Sequence, residues 1–524
     1  MMPVMPDVLT SHAAAFGDRL AIVDDRPGAL PILWTFADFE KETNRLAHVL
    51  RAENVSSGTK VVTLGQNSAG WLRSAHACRK VGATHVPLNY RLTSEEAAYV
   101  VDNSDAEVLV VDAEYAELAR RIAPDAPRVR AVFVFDGEAL EGQRSLDAAL
   151  LNAPDGPLAD GDAGAAAAAS MIYTSGTTGK PKGAVRDTAG SPEQVLGLLQ
   201  LLGWKSEYVY LTTGPLYHSG PGSFSVIGTT LGNTVVVQHK FDSIDWLRLV
   251  DTYRCSATFS APTPIRMVCN VDQVEFDSFD VSCMQLMIAN AAPWSFALKQ
   301  AYLDRFPKES LFEVYGSTEL GVNCVLEPLD QLRKPGSCGR PAPHVEVKLF
   351  DDDGAEVTGT GPDAPGELFV RAGSVFTSYY KAADKYEADM RGDFHTVGDI
   401  AYRDDEGYLY ICDRKKDMII SGGVNIYPAE IESALEQNPD VFDVAVFGVP
   451  DEQWGEAVHA VVVAHAGVVP DANKIITWAR EHLASYKVPR TITFMDELPR
   501  NGSGKLLKRE LRAPFWAGHS RMVG

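Results

Sequence analysis

Hydrophobic positions along the chain recur with two alternating periods. Over residues 34–50 (WTFADFEKETNRLAHVL), Phe39, Leu46 and Leu50 fall on one face at helical spacing. Val61-Val62-Thr63-Leu64 is an apolar run of strand length. Thr93, three residues before Glu96, reads as a capping box opening a helix over 94–103, and an apolar strand follows at Val108–Val111. This alternation predicts a doubly wound α/β layer. Residues 153–169 (APDGPLADGDAGAAAAA) have no periodic apolar face and read as a linker delivering a central strand at 170–174. From 190 to 390 the pattern stays mixed, with apolar runs such as Thr234–Val237. Near Asp413 it changes. The charged run Arg414-Lys415-Lys416-Asp417 separates two apolar runs. After it come a helix over 428–437, opened by Pro428 and closed before Pro439, strands over 443–449 and 457–464, a helix over 473–484 and a strand over 491–495. The pattern divides the chain into a large region, 1–415, of layered, mostly parallel sheets with helices, and a small α+β unit, 416–524. No internal repeat is present.

Composition narrows the function. A 524-residue chain with 45% hydrophobic residues supports sizeable cores in two to four domains. The net charge of −22 argues against nucleic-acid partners and against general binding to anionic membranes, so anionic ligands must be held by local positive sites. Cys78, Cys255, Cys269, Cys283, Cys324, Cys338 and Cys412 are scattered and odd in number, as expected of reduced thiols in a cytoplasmic protein. No signal peptide is expected at the N-terminus, and no apolar run is long enough to span a membrane. Peripheral membrane contact and a homodimer stay open.

The chemistry concentrates first in Met171 to Gly183, MIYTSGTTGKPKG. An apolar strand breaks into Thr174, Ser175, Gly176, Thr177, Thr178 and Gly179, followed by Lys180 and Lys182. Glycines let backbone approach a phosphate closely, and successive N–H groups with hydroxyls form an anion-binding nest. It is not a Walker A loop, which needs glycine five residues before Gly-Lys and then Ser or Thr. Thr174 stands at the first place and Pro181 at the second, and before Gly504-Lys505 the first place is Pro499.

The stretch resembles the phosphate-binding signature of the adenylate-forming superfamily: acyl- and aryl-CoA synthetases, firefly luciferase and peptide-synthetase adenylation domains. VYGSTELG (314–321), the segment 395–432 and PRNGSGKLLKREL (499–511) resemble its other signatures, in order, over essentially the whole chain. The resemblance implies a large N-terminal domain, a small mobile C-terminal lid, and the substrates ATP, Mg2+ and coenzyme A. It places Thr174 to Gly179 and Lys182 on the β- and γ-phosphates, Tyr315 against adenine and Thr318 at the α-phosphate, with Gly316 and Ala291 also in the ATP/AMP site. Glu319 and Thr174 would hold Mg2+, Asp399 and Arg414 the ribose, and Lys505 would bridge the carboxylate and the α-phosphate. Tyr217, His218, Gly222, Asn290, Gly316 and Val322 would line the acyl pocket, with His218 orienting the carboxylate. Asn290 departs from the small residue usual at its place. Gly422 and Gly423 would flank the CoA channel in the thiol step, with Lys416 as the pivot of the lid.

The resemblance implies an AMP-forming acid–thiol ligase. Residues 217–232 carry no acidic side chain to hold a substrate ammonium, so an uncharged tail is expected. A medium- or long-chain fatty acid is favoured, because Ser219, Gly222, Ser223 and Ser225 are small enough to leave room for a long chain. An aryl or alicyclic acid, a separate carrier protein as acceptor, and a binding protein without catalysis are the other readings.

Overall fold

The computed structural model describes residues 7–159, 169–174, 181–186, 191–290, 294–422, 424–500 and 506–517. The apolar strand runs of the first two-thirds of the chain assemble into two large sheets. An eight-stranded sheet has its parallel core in Thr84–Leu88, Lys60–Leu64, Ala106–Asp112 and Ala131–Phe135. Ser170–Thr174 lies parallel beside Thr84–Leu88 and antiparallel to Lys182–Arg186. A nine-stranded sheet has its parallel core in Leu20–Asp24, Thr234–Val237, Val209–Thr212, Ala257–Ser260, Leu286–Ala289 and Leu311–Ser317. These core strands are buried on both faces and read as near-continuous apolar runs, as parallel strands do.

The helices Phe36–Ala52 and Ala69–Val81 lie between the two sheets. Phe36, Phe39, Trp71 and Leu72 pack with the nine-stranded sheet, while Leu46, Leu50, Ala77 and Val81 pack with the eight-stranded one. The first helix opens on a capping box of Thr35 and Asp38, absent from the periodicity argument, and the helix Ser94–Asn103 opens on the expected box of Thr93 and Glu96. The expected linker over 153–169 forms no helix or strand across its described part, 153–159 and Ala169; its middle, 160–168, lies outside the described residues.

Asn67, in the loop before the second of these helices, ties the sheets together at the site. Its amide donates to the carbonyls of Gly214 (3.0 Å) and Gln238 (3.1 Å) and accepts from the Leu216 N–H (2.8 Å). One buried side chain thus satisfies three backbone groups of loops that leave the neighbouring sheet.

A third sheet, Glu346–Phe350, Gly366–Arg371, Phe394–Arg403, Leu409–Arg414 and Met390–Arg391, is antiparallel throughout. The large region is therefore parallel in its two main sheets only. A fourth sheet is built from Val424–Ile426, Ile419–Ser421, Gly455–Ala464, Val441–Asp451 and Thr491–Phe494. The helices Pro428–Leu435 and Ala472–His482 cover one face of it through Ile431, Leu435, Ile475 and Ala479, and the helix Lys508–Arg512 places Leu511 on the other. Pro428 stands at the first turn as expected; the helix ends at Leu435, two residues short of the expected 437.

Replacing Asn67 by Ala leaves two carbonyls and one N–H without their side-chain partner. We expect a loss of about 2–4 kcal/mol, at ~1–3 kcal/mol per orphaned group with partial access of water. Thermal unfolding checks this; an unchanged midpoint would show that the three groups find other partners.

Candidate active site

The site is built on the hairpin of Leu311–Ser317 and Gly321–Leu326. Gly321 has φ +76°, which a side chain would strain. A Cβ on Gly316 would lie 2.0 Å from the Gly321 carbonyl oxygen, so only glycine permits this close a turn. The turn carries Thr318 and Glu319. It is clamped from behind: the Phe376 N–H donates to the Glu319 carbonyl (2.7 Å), Ser374 donates to the Leu320 carbonyl (3.1 Å), and Arg186 donates to the carbonyls of Thr318 (2.6 Å) and Ser374. Burial lowers the Arg186 pKa, with the charge of Glu319 acting the other way.

At the front of the turn Thr174 donates to Glu319 Oε1 (3.0 Å), and Tyr379 donates to the same oxygen (3.2 Å). Thr174 pairs with Lys182 across the ends of their strands, and the Lys182 ammonium lies 5.7 Å from the Tyr379 ring centroid. Burial and the Glu319 charge push the Tyr379 hydroxyl pKa far up, so it remains a donor. Sequence reading missed Tyr379 and Arg186. No motif marks them, and they arrive through the pairing of Ser378–Tyr379 with Lys182–Arg186.

The second cluster centres on Asp399. Tyr315 donates to Asp399 Oδ2, while Arg414 Nε lies 3.3 Å from Oδ1. Asp399 and Arg414 are register partners on adjacent antiparallel strands. Burial opposes the charge of Arg414, yet Asp399, Asp417, Tyr315 and Glu319 together hold its pKa above the usual value. Burial and then Asp399 push the Tyr315 pKa well up. Each Asp399 oxygen retains acceptor capacity beyond these contacts. Lys416 is close by: burial and then the charge of Arg414 lower its ammonium pKa.

The third group surrounds His218, which sits at the N-cap of the helix Ser219–Thr230. Ser219 joins this helix to the turn by a 2.8 Å bond to Thr318. The Tyr217 hydroxyl and His218 Nε2 are buried without a partner among the described residues. Burial and the charge of Arg91 hold the His218 pKa down at about 4. Asn290, unusual by sequence, donates to the Val314 carbonyl (2.6 Å) and so bridges two strand ends beside Tyr315. Val322 pairs with Gly316.

Of the four small residues expected to leave room for a long chain, Ser219, Gly222 and Ser225 are engaged by packing or hydrogen bonds, and Ser223 is exposed. A Cβ on Gly222 would lie 2.4 Å from the Leu216 carbonyl, and one on Gly220 would strike the Phe259 ring at 2.4 Å. Ser225 is fully buried and bonds the Pro221 carbonyl, and Ser219 bonds Thr318. Gly422 has φ +60°, and a Cβ there would lie 2.6 Å from the Trp454 ring. Ser175, Gly176, Thr177, Thr178, Gly179, Ala291, Gly423 and Lys505 lie outside the described residues.

Three groups that the sequence scatters over 240 residues thus meet at one turn. The chain matches the AMP-binding enzyme family over residues 9–380 and the AMP-binding enzyme C-terminal domain over 430–505. The chain belongs to the AMP-binding enzyme family. It is similar to an indoleacetate–CoA ligase of Aromatoleum aromaticum, 34% identical over 91% of this chain and 92% of that one. It is also similar to a feruloyl-CoA synthase of an Amycolatopsis species, 35% identical over 92% and 94%. Among solved structures, the anthranilate CoA ligase AuaEII in complex with anthranoyl-AMP superposes with a TM-score of 0.87, at 25% identity over 98% of both chains. This AMP-binding enzyme is an AMP-forming acid–thiol ligase, for which ATP, Mg2+ and CoA are the co-substrates and metal. Among the described residues no helix is long and apolar enough to cross a membrane, and no group of three or more His, Cys, Asp or Glu gathers as a metal site. The carboxylate and hydroxyls of Glu319, Thr174 and Tyr379 nevertheless fit a hard cation that takes its remaining ligands from phosphate and water.

The ring of His218 is neutral well below pH 7 in the substrate-free protein. An unfolded histidine takes up a proton near 6.5 and this one only near 4. Its contribution to stability is therefore complete above about pH 6.5 and is lost as the pH falls from there towards 4. We expect ring titration by NMR to give a midpoint near 4, and His218→Gln to leave the pH dependence of adenylation unchanged from about pH 5.5 to 8. A midpoint at or above the ordinary value would refute a neutral ring.

Proposed function

We propose that this enzyme activates a compact carboxylic acid with an uncharged, aryl-bearing tail as its acyl adenylate, and then transfers the acyl group to CoA. The observation that carries the reading is the meeting of the Tyr315–Asp399–Arg414 cluster with the Thr174–Glu319 pair at one turn. The first suits a ribose and base, and the second the phosphates of the same nucleotide. The aromatic acids named for the similar ligases support the tail, and the tight packing at Gly222 and Ser225 favours a compact one.

In the first half-reaction a carboxylate oxygen of the acid attacks the α-phosphorus of ATP, and the bond to pyrophosphate breaks. Asp399 accepts from the ribose hydroxyls while Tyr315 and Arg414 hold its orientation. Thr318 meets the α-phosphate, and Lys182 with the loop Ser175–Gly179 meets the β- and γ-phosphates. Glu319 and Thr174 would hold Mg2+, which neutralises phosphate charge. Neutral His218 orients the carboxylate by a hydrogen bond rather than an ion pair, and Lys505 supplies the cation that brings two anions together. In the second half-reaction the CoA thiol attacks the acyl carbon, and the bond to AMP breaks. The domain boundary lies at Lys416, about which the 416–524 lid turns to replace Lys505 by Gly422 and Gly423 at the site.

A panel of aryl, arylalkanoic, fatty and amino acids, each with ATP, Mg2+ and CoA, tests this by pyrophosphate release and thioester formation. Aryl acids should lead and amino acids should be poor substrates. No release with any acid would refute the ligase reading, and thioester only on a carrier protein would refute CoA as acceptor. Glu319→Gln keeps the shape but removes the charged oxygen, and should weaken apparent Mg2+ affinity by roughly 10–100-fold. Unaltered Mg2+ dependence would remove Glu319 from the metal site.

The two half-reactions should separate by mutation. Lys505→Ala should slow adenylation by roughly 100–1,000-fold, yet still convert supplied acyl-AMP and CoA. Lys416→Pro, which fixes φ and removes a donor at the pivot, should do the reverse. Equal slowing of both halves in each variant would rule out the two-orientation cycle.

A further inference from the structure

The helix Pro428–Leu435 lies beyond Lys416 in the chain, yet both of its ends meet residues that precede Lys416. At its start Tyr427 makes no side-chain cap, and Pro428 has no N–H. The first N–H of the helix, that of Ala429, donates to Asp413 Oδ2 (3.0 Å), while Oδ1 accepts from the Arg414 N–H (2.7 Å). Asp413 therefore caps a helix from outside it and satisfies a donor that the helix leaves open. Its carboxylate is buried, and its charge reaches Lys508, which pairs with Glu432 (2.8 Å). Burial lowers the Lys508 pKa, but Glu432 and then Asp413 hold it above its usual value. At the other end Glu436 follows the last turn; burial pushes its carboxyl up to about 7, with the charge of Arg266 acting against this. Arg266, on the helix Pro262–Cys269, also lies 5.8 Å from the ring centroid of Phe442 on the strand Val441–Asp451. Asp413 itself is fixed on the near side of the pivot, because it pairs with Ile400 in the third sheet. A single contact would let the helix swivel. Contacts at its two ends set its direction, and with it the direction of the C-terminal sheet that it covers.

We propose that Asp413 is a positioning residue for the lid: by capping the helix Pro428–Leu435 across the pivot, it favours the orientation in which Arg266 meets Phe442. This rests on the turning-lid reading above. A lid that turns about Lys416 carries Ala429, Glu436, Phe442 and Lys508 away together, so the helix gives up its cap in the second orientation. A side-chain cap shifts a two-state balance by about fivefold, which biases the lid without locking it.

The test reads orientation and chemistry separately. The paired Arg266→Cys, Phe442→Cys variant is treated with a bis-maleimide, with each single variant as the blank. The pair should cross-link. Adding Asp413→Asn, which keeps the shape but offers one acceptor oxygen to two N–H groups, should slow the cross-link. In the chain with Arg266 and Phe442 intact, Asp413→Asn should change the ratio of the two half-reaction rates by roughly fivefold. These are pyrophosphate release with the leading acid of the panel, and thioester formation from its synthetic adenylate and CoA. If the asparagine variant does not fold, Tyr427→Ser carries the comparison: it gives the helix an N-cap of its own, leaves Asp413 in place, and should weaken the hold in the same direction. A pair that never cross-links would overturn the assignment. So would cross-linking unchanged by Asp413→Asn, or equal slowing of both half-reactions, which marks a residue that only supports the fold. The cross-linked enzyme should complete one half-reaction and not the other. If it completes both, the turning lid itself falls, and cross-linking needs no substrate, so the two failures are distinguishable.

Discussion

The close approach of Gly316 to the Gly321 carbonyl is the constraint on which the site depends. A turn this tight places Thr318 and Glu319 within reach of Ser219 on one side and of Thr174 and Tyr379 on the other. Tyr315, immediately before it, reaches Asp399. A hairpin one residue looser would part these contacts, each made at hydrogen-bond range. Arg186 and Ser374 lock the turn from behind through backbone carbonyls, so its position does not depend on the groups it presents to ligand. Preorganisation of this kind holds donors and acceptors where charge develops, without reorganisation at the moment of reaction.

Electrostatics at the site run against the chain as a whole. A protein of net charge −22 must bring an anionic acid to anionic ATP. Long-range attraction cannot do this, so short-range cations carry the task. Arg414 is held charged by Asp399, Asp417 and Glu319 despite its burial, and Lys182 stands opposite Thr174 at the ends of their paired strands. His218, desolvated and near the positive charge of Arg91, is neutral and offers geometry rather than charge.

The junction to the C-terminal sheet shows the same use of buried polar groups. Asp413 accepts from the N–H groups of Arg414 (2.7 Å) and Ala429 (3.0 Å), joining the strand Leu409–Arg414 to the helix Pro428–Leu435. Glu432 on that helix pairs with Lys508 (2.8 Å). Burial opposes the Lys508 charge, while Glu432 and Asp413 hold its pKa above the usual value. Removing one member would leave a buried charge alone, so the junction tolerates rearrangement of the group better than loss of a part. Arg414 thus stands in the Asp399 cluster and at the start of the charged break together.

Much of this protein is legible in its sequence. Period and capping were enough for the helices Phe36–Ala52, Ser94–Asn103, Pro428–Leu435 and Ala472–His482 and for the strands around them, because these are local properties. Ordered motifs were enough to single out Thr174, Tyr315, Glu319, Asp399 and Arg414, because short stretches of chain carry them whole. Boundaries shifted by a residue or two where caps decide them. Only the tertiary structure decided what depends on elements distant in sequence. Tyr379 and Arg186 reach the Glu319 turn through sheet pairing, with no local pattern to announce them. Gly222, read as room, is closed on its Cβ side by the Leu216 carbonyl, since packing distance is invisible in composition. A hydrogen bond between residues 145 positions apart, such as Thr174 to Glu319, exists only once the backbone has closed both ends.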